Sequence, residues 1–202
     1  RGSLRFADDS VEIGVTHVHD STTGAGAELT GVDFRWQIND ETLLKAEVAD
    51  SNAVVTSVAQ SGKAQGVELE HTGENVDVRA FIREVDQGFG LGYQSQAEQG
   101  LRRLGVDARA RIGEKFAFEG EAGWQQNLQT EAIRNLVRGQ LRYEHGDFTA
   151  RGGFAHAEDK FEDGEKNTSD LAEFGISRKV LDGKLLLRDS GSTAISNDAD
   201  NI

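Results

Sequence analysis

Apolar and polar residues alternate along most of the chain with a period of two residues. Val32, Phe34 and Trp36 share one parity, while Asp33 and Arg35 share the other. Because successive side chains of a β-strand point to opposite faces, this pattern predicts strands with one apolar and one polar face. A helix would mix the two classes of residue on each of its faces.

The same alternation recurs at 76–83, 106–112, 116–125 and 137–143, and weaker cases lie between these segments. Together they predict about twelve strands of roughly ten residues, near the length that a tilted strand needs to cross a bilayer. The predicted spans are 3–7, 11–18, 27–38, 42–50, 63–71, 76–84, 89–96, 101–112, 116–125, 133–144, 147–157 and 170–179, with a thirteenth candidate at 184–190.

The connections between these segments alternate in length. Short turns rich in Gly, Asn and Asp are predicted at 8–9, 39–41, 73–74, 113–115, 145–146 and 182–183. Longer polar stretches are predicted at 19–26, 51–62, 126–132 and 158–169. This alternation is typical of an antiparallel up-and-down β-barrel. The segment 84–100 departs from it, because three glycines there blur the boundary between strand and loop.

The turns also predict strand register. Closing the turn at 8–9 places Phe6 opposite Val11, and closing the turn at 145–146 places Tyr143 opposite Phe148. In both hairpins apolar residues face apolar residues, so the two faces stay consistent through the turn.

Composition narrows the classes of protein that fit this pattern. The 202 residues carry 22 Lys and Arg against 35 Asp and Glu, a net charge of −13, which makes a basic nucleic-acid-binding module a poor fit. Cysteine is absent, so disulfides and cysteine-based metal sites are excluded. No window approaches the roughly 20 apolar residues of a membrane-spanning helix. A soluble all-β domain and a transmembrane β-barrel therefore remain.

The polar face favours the barrel, because it is densely charged and mixed in sign, as expected for a confined aqueous lumen. A three-residue turn at 113–115 would also set Arg109 opposite Glu119. The residues predicted to line the lumen are Arg79, Arg109, Arg111, Glu119, Glu121, Arg138 and Arg142.

Aromatic residues cluster beside the short turns, as in the aromatic girdles of membrane barrels. The residues predicted to lie at the lipid interface are Trp36, Phe116, Phe118, Trp124, Tyr143 and Phe148. The low aromatic content, 7% of the chain, instead favours the soluble alternative.

Three segments resemble bacterial outer-membrane β-barrel proteins: GVDFRWQINDE at 31–41, the hairpin at 101–124 and VLDGKLLLR at 180–188. They are most similar to the C-terminal barrel regions of large repeat-bearing surface proteins of Gram-negative bacteria. The resemblance implies a bacterial outer-membrane location and a single barrel domain over 1–202. It further implies that this domain is a fragment of a longer chain. The predicted barrel has about twelve strands, or these strands are part of a slightly larger barrel.

No residue set specifies an enzyme, and we predict no catalytic residues, metal site or cofactor. His17 and His19 lack a third ligand, and charge pairing within the lumen accounts for Glu119 and Glu121 without catalysis. The predicted function is a membrane anchor or a narrow charge-lined channel, with outer-membrane lipid and a larger surface domain of the same chain as partners. The alternative is a soluble extracellular all-β binding or adhesion module.

Overall fold

The computed structural model describes residues 1–21, 26–55, 58–90 and 99–199. Within these ranges all regular structure is β, in twelve strands. They are β1 (Gly2–Phe6), β2 (Val11–Asp20), β3 (Ala27–Asn39), β4 (Thr42–Val55), β5 (Val58–Thr72), β6 (Val76–Val85), β7 (Leu101–Ile112), β8 (Phe116–Asn127), β9 (Ile133–His145), β10 (Phe148–Lys160), β11 (Lys166–Val180) and β12 (Leu185–Ala199).

The strands form an antiparallel up-and-down sheet in which each strand pairs with its neighbours in sequence, in the order β1 to β12. The predicted all-β class, strand number and antiparallel order are therefore confirmed. The predicted closure is not seen, because β1 and β12 are the two ends of the order among the described residues and the sheet is not closed into a barrel. Closing a sheet requires its two edge strands to pair.

The described contacts divide the chain into two compact units. Unit 1 comprises Arg1–His71, Ala80–Leu104 and Gln125–Glu131, and unit 2 comprises Thr72–Arg79, Gly105–Trp124 and Ala132–Ile202. The faces and contacts described below are given separately for each unit. The prediction of a single domain over 1–202 stays a prediction.

The predicted strand at 89–96 lies mostly outside the described residues, and its first two residues, 89 and 90, are not in a strand. Residues 86–90 form turns rather than a strand, and 91–98 lie outside the described residues. The twelfth strand is instead β12, which begins within the thirteenth candidate segment and extends beyond it.

Strands extend into two of the predicted long loops. β4 runs to Val55 and β5 begins at Val58, where the polar residues of 51–62 suggest a loop. Likewise, β10 and β11 leave only 161–165 between them. Polar residues at these strand ends satisfy their backbone groups through the ladder, so polarity alone does not mark the loop.

The register of the β1–β2 hairpin is as predicted, with Phe6 opposite Val11 and Leu4 opposite Ile13. The register of β9 and β10 is wrong by two residues, because the turn lies at 146–147 and His145 pairs with Phe148. Gly146 adopts φ 57° in this turn, a conformation that glycine reaches without steric cost. A shift of two residues preserves the parity, so Tyr143 keeps its predicted face.

Candidate functional site

The polar strand positions form what we call the ionised face, the alternate positions that include Asp33 and Arg35 on β3. In unit 1, β4 and β5 continue this face: Lys45 lies opposite Arg35 and Glu68 lies opposite Lys45. Lys45 Nζ lies 3.1 Å from Glu68 Oε1 and 2.7 Å from a carboxylate oxygen of Glu70. Charges of opposite sign thus neutralise one another across neighbouring strands.

All seven residues predicted to line a lumen lie at this parity in unit 2, and most are joined in ion pairs. Arg109 Nη2 lies 3.3 Å from Glu119 Oε1, as the three-residue turn predicts. The other pairs are Arg79 with Asp107 at 2.6 Å, Arg138 with Glu173 at 2.7 Å and Arg142 with Glu144 at 3.5 Å. Within the described part of the chain, Arg111 and Glu121 form no ion pair. Whether these side chains line a lumen stays a prediction.

Two ion pairs in unit 1 reach across an intervening strand at a glycine. Arg83 on β6 donates to Glu47 on β4 at 3.0 Å, and Gly66 lies between them on β5. A Cβ atom at Gly66 would lie 3.5 Å from Arg83 Cγ and 3.8 Å from Glu47 Cγ. The charged side chains therefore fill the space directly above this glycine.

The second of these pairs joins Arg1 to Asp33 at 2.9 Å, across β2. Gly14 lies directly opposite Asp33, and a Cβ at Gly14 would lie 2.5 Å from both carboxylate oxygens. Alanine at this position would displace the carboxylate. The absence of a side chain at Gly14 and Gly66 therefore leaves the space that the charged side chains of these two ion pairs occupy.

The segment Asp86–Gly90, which we call the docked segment, lies against the ionised face of β4 and β5 in unit 1. Asp86 accepts a hydrogen bond from the Lys63 amide at 2.9 Å and donates its own amide to the Lys63 carbonyl at 2.8 Å. The amide of Gly90 donates to Ser51 Oγ at 2.8 Å. Ser51 is completely buried, and a Cβ at Gly62 would overlap the backbone of Phe89.

The opposite positions form the apolar face, which has a sharp limit along each strand in unit 1. On β2 to β5, three successive rows are almost entirely apolar, and the next row is polar. The apolar rows are Val11, Trp36, Leu44 and Leu69, then Ile13, Phe34, Ala46 and Val67, then Val15, Val32, Val48 and Gln65. The polar row is His17, Thr30, Asp50 and Lys63.

In unit 2 the apolar face of β10 to β12 ends in the same way. Ala172 on β11 lies opposite Phe154, and two residues further along the strands Asp170 lies opposite both His156 and Ser196. Asp170 accepts hydrogen bonds from Ser196 Oγ at 2.7 Å and contacts His156 Nδ1 at 2.6 Å. These polar groups satisfy one another at the limit of the apolar rows.

Large apolar side chains at this face are exposed. Trp36 exposes 41% and Phe174 exposes 54% of their surface. By contrast, the buried apolar residues of the described chain occupy the ionised parity: Ala27, Leu43, Ala53, Ala64, Val85 and Ala117. Burial is thus inverted relative to a soluble sandwich, in which the apolar faces are packed together.

All six predicted interface aromatics lie on the apolar face. In unit 2 the rings of Phe116 and Tyr143 lie 5.1 Å apart, and Phe118 lies beside Gly120 and Gly139. Trp36 lies opposite Val11 and Leu44 in unit 1. The structure therefore places these residues on one face within each unit. Their contact with lipid stays a prediction.

The predicted lumen set left out four charged residues of the ionised face, although the alternation puts Asp107 and Arg151 at the polar parity. They are Asp107, Glu173, Arg151 and Arg188. The alternation of β10 carried the signal for Arg151. For β12 the strand itself was only a candidate, so Arg188 could not be assigned to a face.

No family model matches the chain, and no curated protein matches it. The described residues contain no group of three or more His, Cys, Asp or Glu side chains that could hold a metal ion. None of the described residues forms a helix long and apolar enough to span a membrane.

Proposed function

We propose that this chain is the membrane-embedded part of a bacterial outer-membrane β-barrel protein, where it acts as an anchor for a larger surface domain of the same chain. The observation that carries the proposal is the inverted burial: the apolar face is exposed, whereas small buried residues and charges share the other face. Lipid is the solvent that makes an exposed apolar face favourable.

The limit of the apolar face also supports this proposal. From the first apolar row to the polar row, three steps of two residues extend about 20 Å along a strand. The apolar band of outer-membrane barrels likewise ends at an interface on each side, where polar residues begin. On this reading the row containing His17 and Asp50 lies at the level of the lipid headgroups.

A narrow, charge-lined channel is the second candidate, and the ionised face favours it. The ion pairs of Arg109, Arg138 and Lys45 occupy that face, and the docked segment covers part of it in unit 1. Inside a closed barrel, long charged side chains and the docked segment would leave little room for solute. These features support an anchor or a narrow pore over a wide diffusion channel.

A soluble binding or adhesion module remains the alternative of another class. It would need a partner to cover the exposed apolar face, since contiguous apolar patches of this kind are rare on soluble monomers.

Tryptophan fluorescence tests the proposal directly, because the chain has only two tryptophans and both lie on the apolar face. In a Trp124→Phe background, Trp36 should be strongly quenched by lipids brominated on their acyl chains. The matched control moves the indole by one residue to the ionised face, as Trp36→Phe with Gln37→Trp, and should be quenched weakly. Equal quenching of the two variants, or none in either, would overturn the membrane assignment.

A further inference from the structure

The cations of the ionised face in unit 2 differ in how they are neutralised. Arg79, Arg109 and Arg138 each have a carboxylate within 3.3 Å. Towards the 146–147 turn, β9 and β10 instead place two arginines directly opposite each other, Arg142 and Arg151. Like charges in opposite positions of neighbouring strands destabilise a sheet unless a counter-charge is present.

Arg142 has an unmet hydrogen-bond donor. Its Nε atom is buried and has no hydrogen-bond partner, although Glu144 Oε1 lies 3.5 Å away. A buried donor without an acceptor is costly, and such groups in native proteins usually point to a missing partner. The Arg142 side chain is about one-third exposed, so an external acceptor would bind through its other guanidinium nitrogens.

The Arg151 side chain extends over a glycine on the neighbouring strand. Gly175 lies opposite Arg151 on β11, and a Cβ at Gly175 would lie 2.5 Å from Arg151 Nε. The guanidinium therefore lies over the glycine. Among the described residues the Arg151 side chain forms no hydrogen bond or ion pair, and its guanidinium donors remain available.

A third arginine completes the cluster on β12. Arg188 lies opposite Ser177, two residues from Ser190, which in turn lies opposite Gly175. Arg188 is exposed and, within the described part of the chain, forms no ion pair. Three arginines and two serines thus lie at the ionised parity of four neighbouring strands, with Glu144 as the only carboxylate recorded within 4.0 Å of any of these arginines among the described residues.

We propose that Arg142, Arg151 and Arg188 form a binding site for a small phosphate-like oxyanion. Guanidinium groups match tetrahedral oxyanions through paired, charge-assisted hydrogen bonds, and a doubly charged anion would neutralise the opposed pair. Ser177 and Ser190 supply further donors. The site does not depend on the proposed membrane location, because it is defined by the ionised face alone.

Isothermal titration calorimetry with sodium phosphate, at constant ionic strength set by sodium chloride, tests this site on the purified chain. We expect saturable binding with one phosphate per chain and a Kd below about 1 mM. Arg151→Gln should weaken binding about tenfold or more. The matched control is Arg109→Gln, which removes a charge from the same face where a carboxylate already neutralises it, and it should leave the affinity nearly unchanged.

Two further variants keep the test decisive if Arg151→Gln disturbs folding. Arg188→Gln changes an exposed residue on the last strand, and Gly175→Ala keeps every charge while displacing the Arg151 guanidinium. Both should weaken phosphate binding while the circular dichroism spectrum stays that of a folded sheet. Absence of saturable phosphate binding, or equal weakening by Arg109→Gln, would overturn the proposal. Neither result depends on whether the chain enters a membrane.

Discussion

Arg138 on β9 donates two hydrogen bonds to a single carboxylate oxygen of Glu173 on β11, from Nε at 3.0 Å and from Nη2 at 2.7 Å. The pair spans β10, where Ala155 lies opposite Arg138 and Gly153 lies opposite Glu173. Small residues on the middle strand leave the space that the two long side chains occupy. The ion pair thus connects three strands.

The coupling between Arg138 and Glu173 should be measurable but modest. Arg138 is nearly half exposed, so we expect a coupling energy of about 0.5–1 kcal/mol from a double-mutant cycle with Arg138→Gln and Glu173→Gln. The free energy of unfolding in urea is the measurement. The looser pair of Arg134 and Asp159, at 3.6 Å, is the matched control and should give a smaller coupling. A larger coupling for the control would contradict the geometry.

Ala108 on β7 tests the apolar face, because it lies between Val106 and Ala110 at the apolar parity. Ala108→Arg should lower the free energy of unfolding in lipid by roughly 2–4 kcal/mol if the position lies near the bilayer midplane. Gln140→Arg places the same side chain on the ionised face of β9 and should cost much less. Similar losses for the two variants would show that the faces are wrongly assigned.

Thiol labelling on intact cells tests the sidedness of the connections, and the chain has no cysteine of its own. Glu162, between β10 and β11, and Glu114, between β7 and β8, are both exposed. Because the strands are antiparallel and paired in sequence order, these two connections lie at opposite ends of the strands. A cysteine at 162 should react with a membrane-impermeant reagent, whereas one at 114 should react only after the cells are lysed. Labelling of both sites in intact cells would favour the soluble alternative.

Gly62 on β5 should be intolerant of substitution, because an added Cβ would overlap the Phe89 backbone. We expect Gly62→Ala to destabilise the fold by about 2 kcal/mol and to speed hydrogen exchange at the Gly90 amide. Gly152→Ala on β10 is the control, since a Cβ added there would meet no atom within 4 Å. Unchanged exchange at Gly90 in Gly62→Ala would mean that the docked segment does not rest on this glycine.

Ion selectivity separates the channel from the anchor. If a pore conducts, neutralising Arg109 and Arg138 together as glutamines should shift its selectivity towards cations, because fixed charges bias ion passage in confined water. Planar bilayer recordings give the reversal potential in a salt gradient. Conductance with unchanged selectivity would show that these arginines do not line the path. Absence of conductance from both the parent chain and the double variant would exclude the channel and leave the anchor as the proposed function.

The sequence predicts the strands well wherever alternation is strict. The segment around Phe34 and Trp36 gave the correct face and nearly the correct strand bounds, because each side chain's parity is fixed by the backbone. At 89–90, where a strand was predicted to begin, the chain instead lies close to Gly62, because glycines that permit a strand also permit such a close approach. That contact involves residues distant in sequence, and no local pattern encodes it.

The ion pairs show the same division between local and distant information. The three-residue turn sufficed to bring Arg109 to Glu119, since a hairpin sets its own register. Arg138 meets Glu173 only through the registers of two successive hairpins. The β9–β10 turn was displaced by one residue from its predicted position, so the partner of Arg138 could not be derived from spacing.

The hydrogen bond from Gly90 to the buried hydroxyl of Ser51 has a consequence for assembly. β4 and β5 contain every strand residue around Ser51, but its hydroxyl receives this donor only when the segment that follows β6 reaches it. An intermediate that ends at β5 would expose the Ser51 pocket to water. The burial of Ser51 is therefore complete only once the docked segment is in place, and hydrogen exchange at the Gly90 amide reports that step.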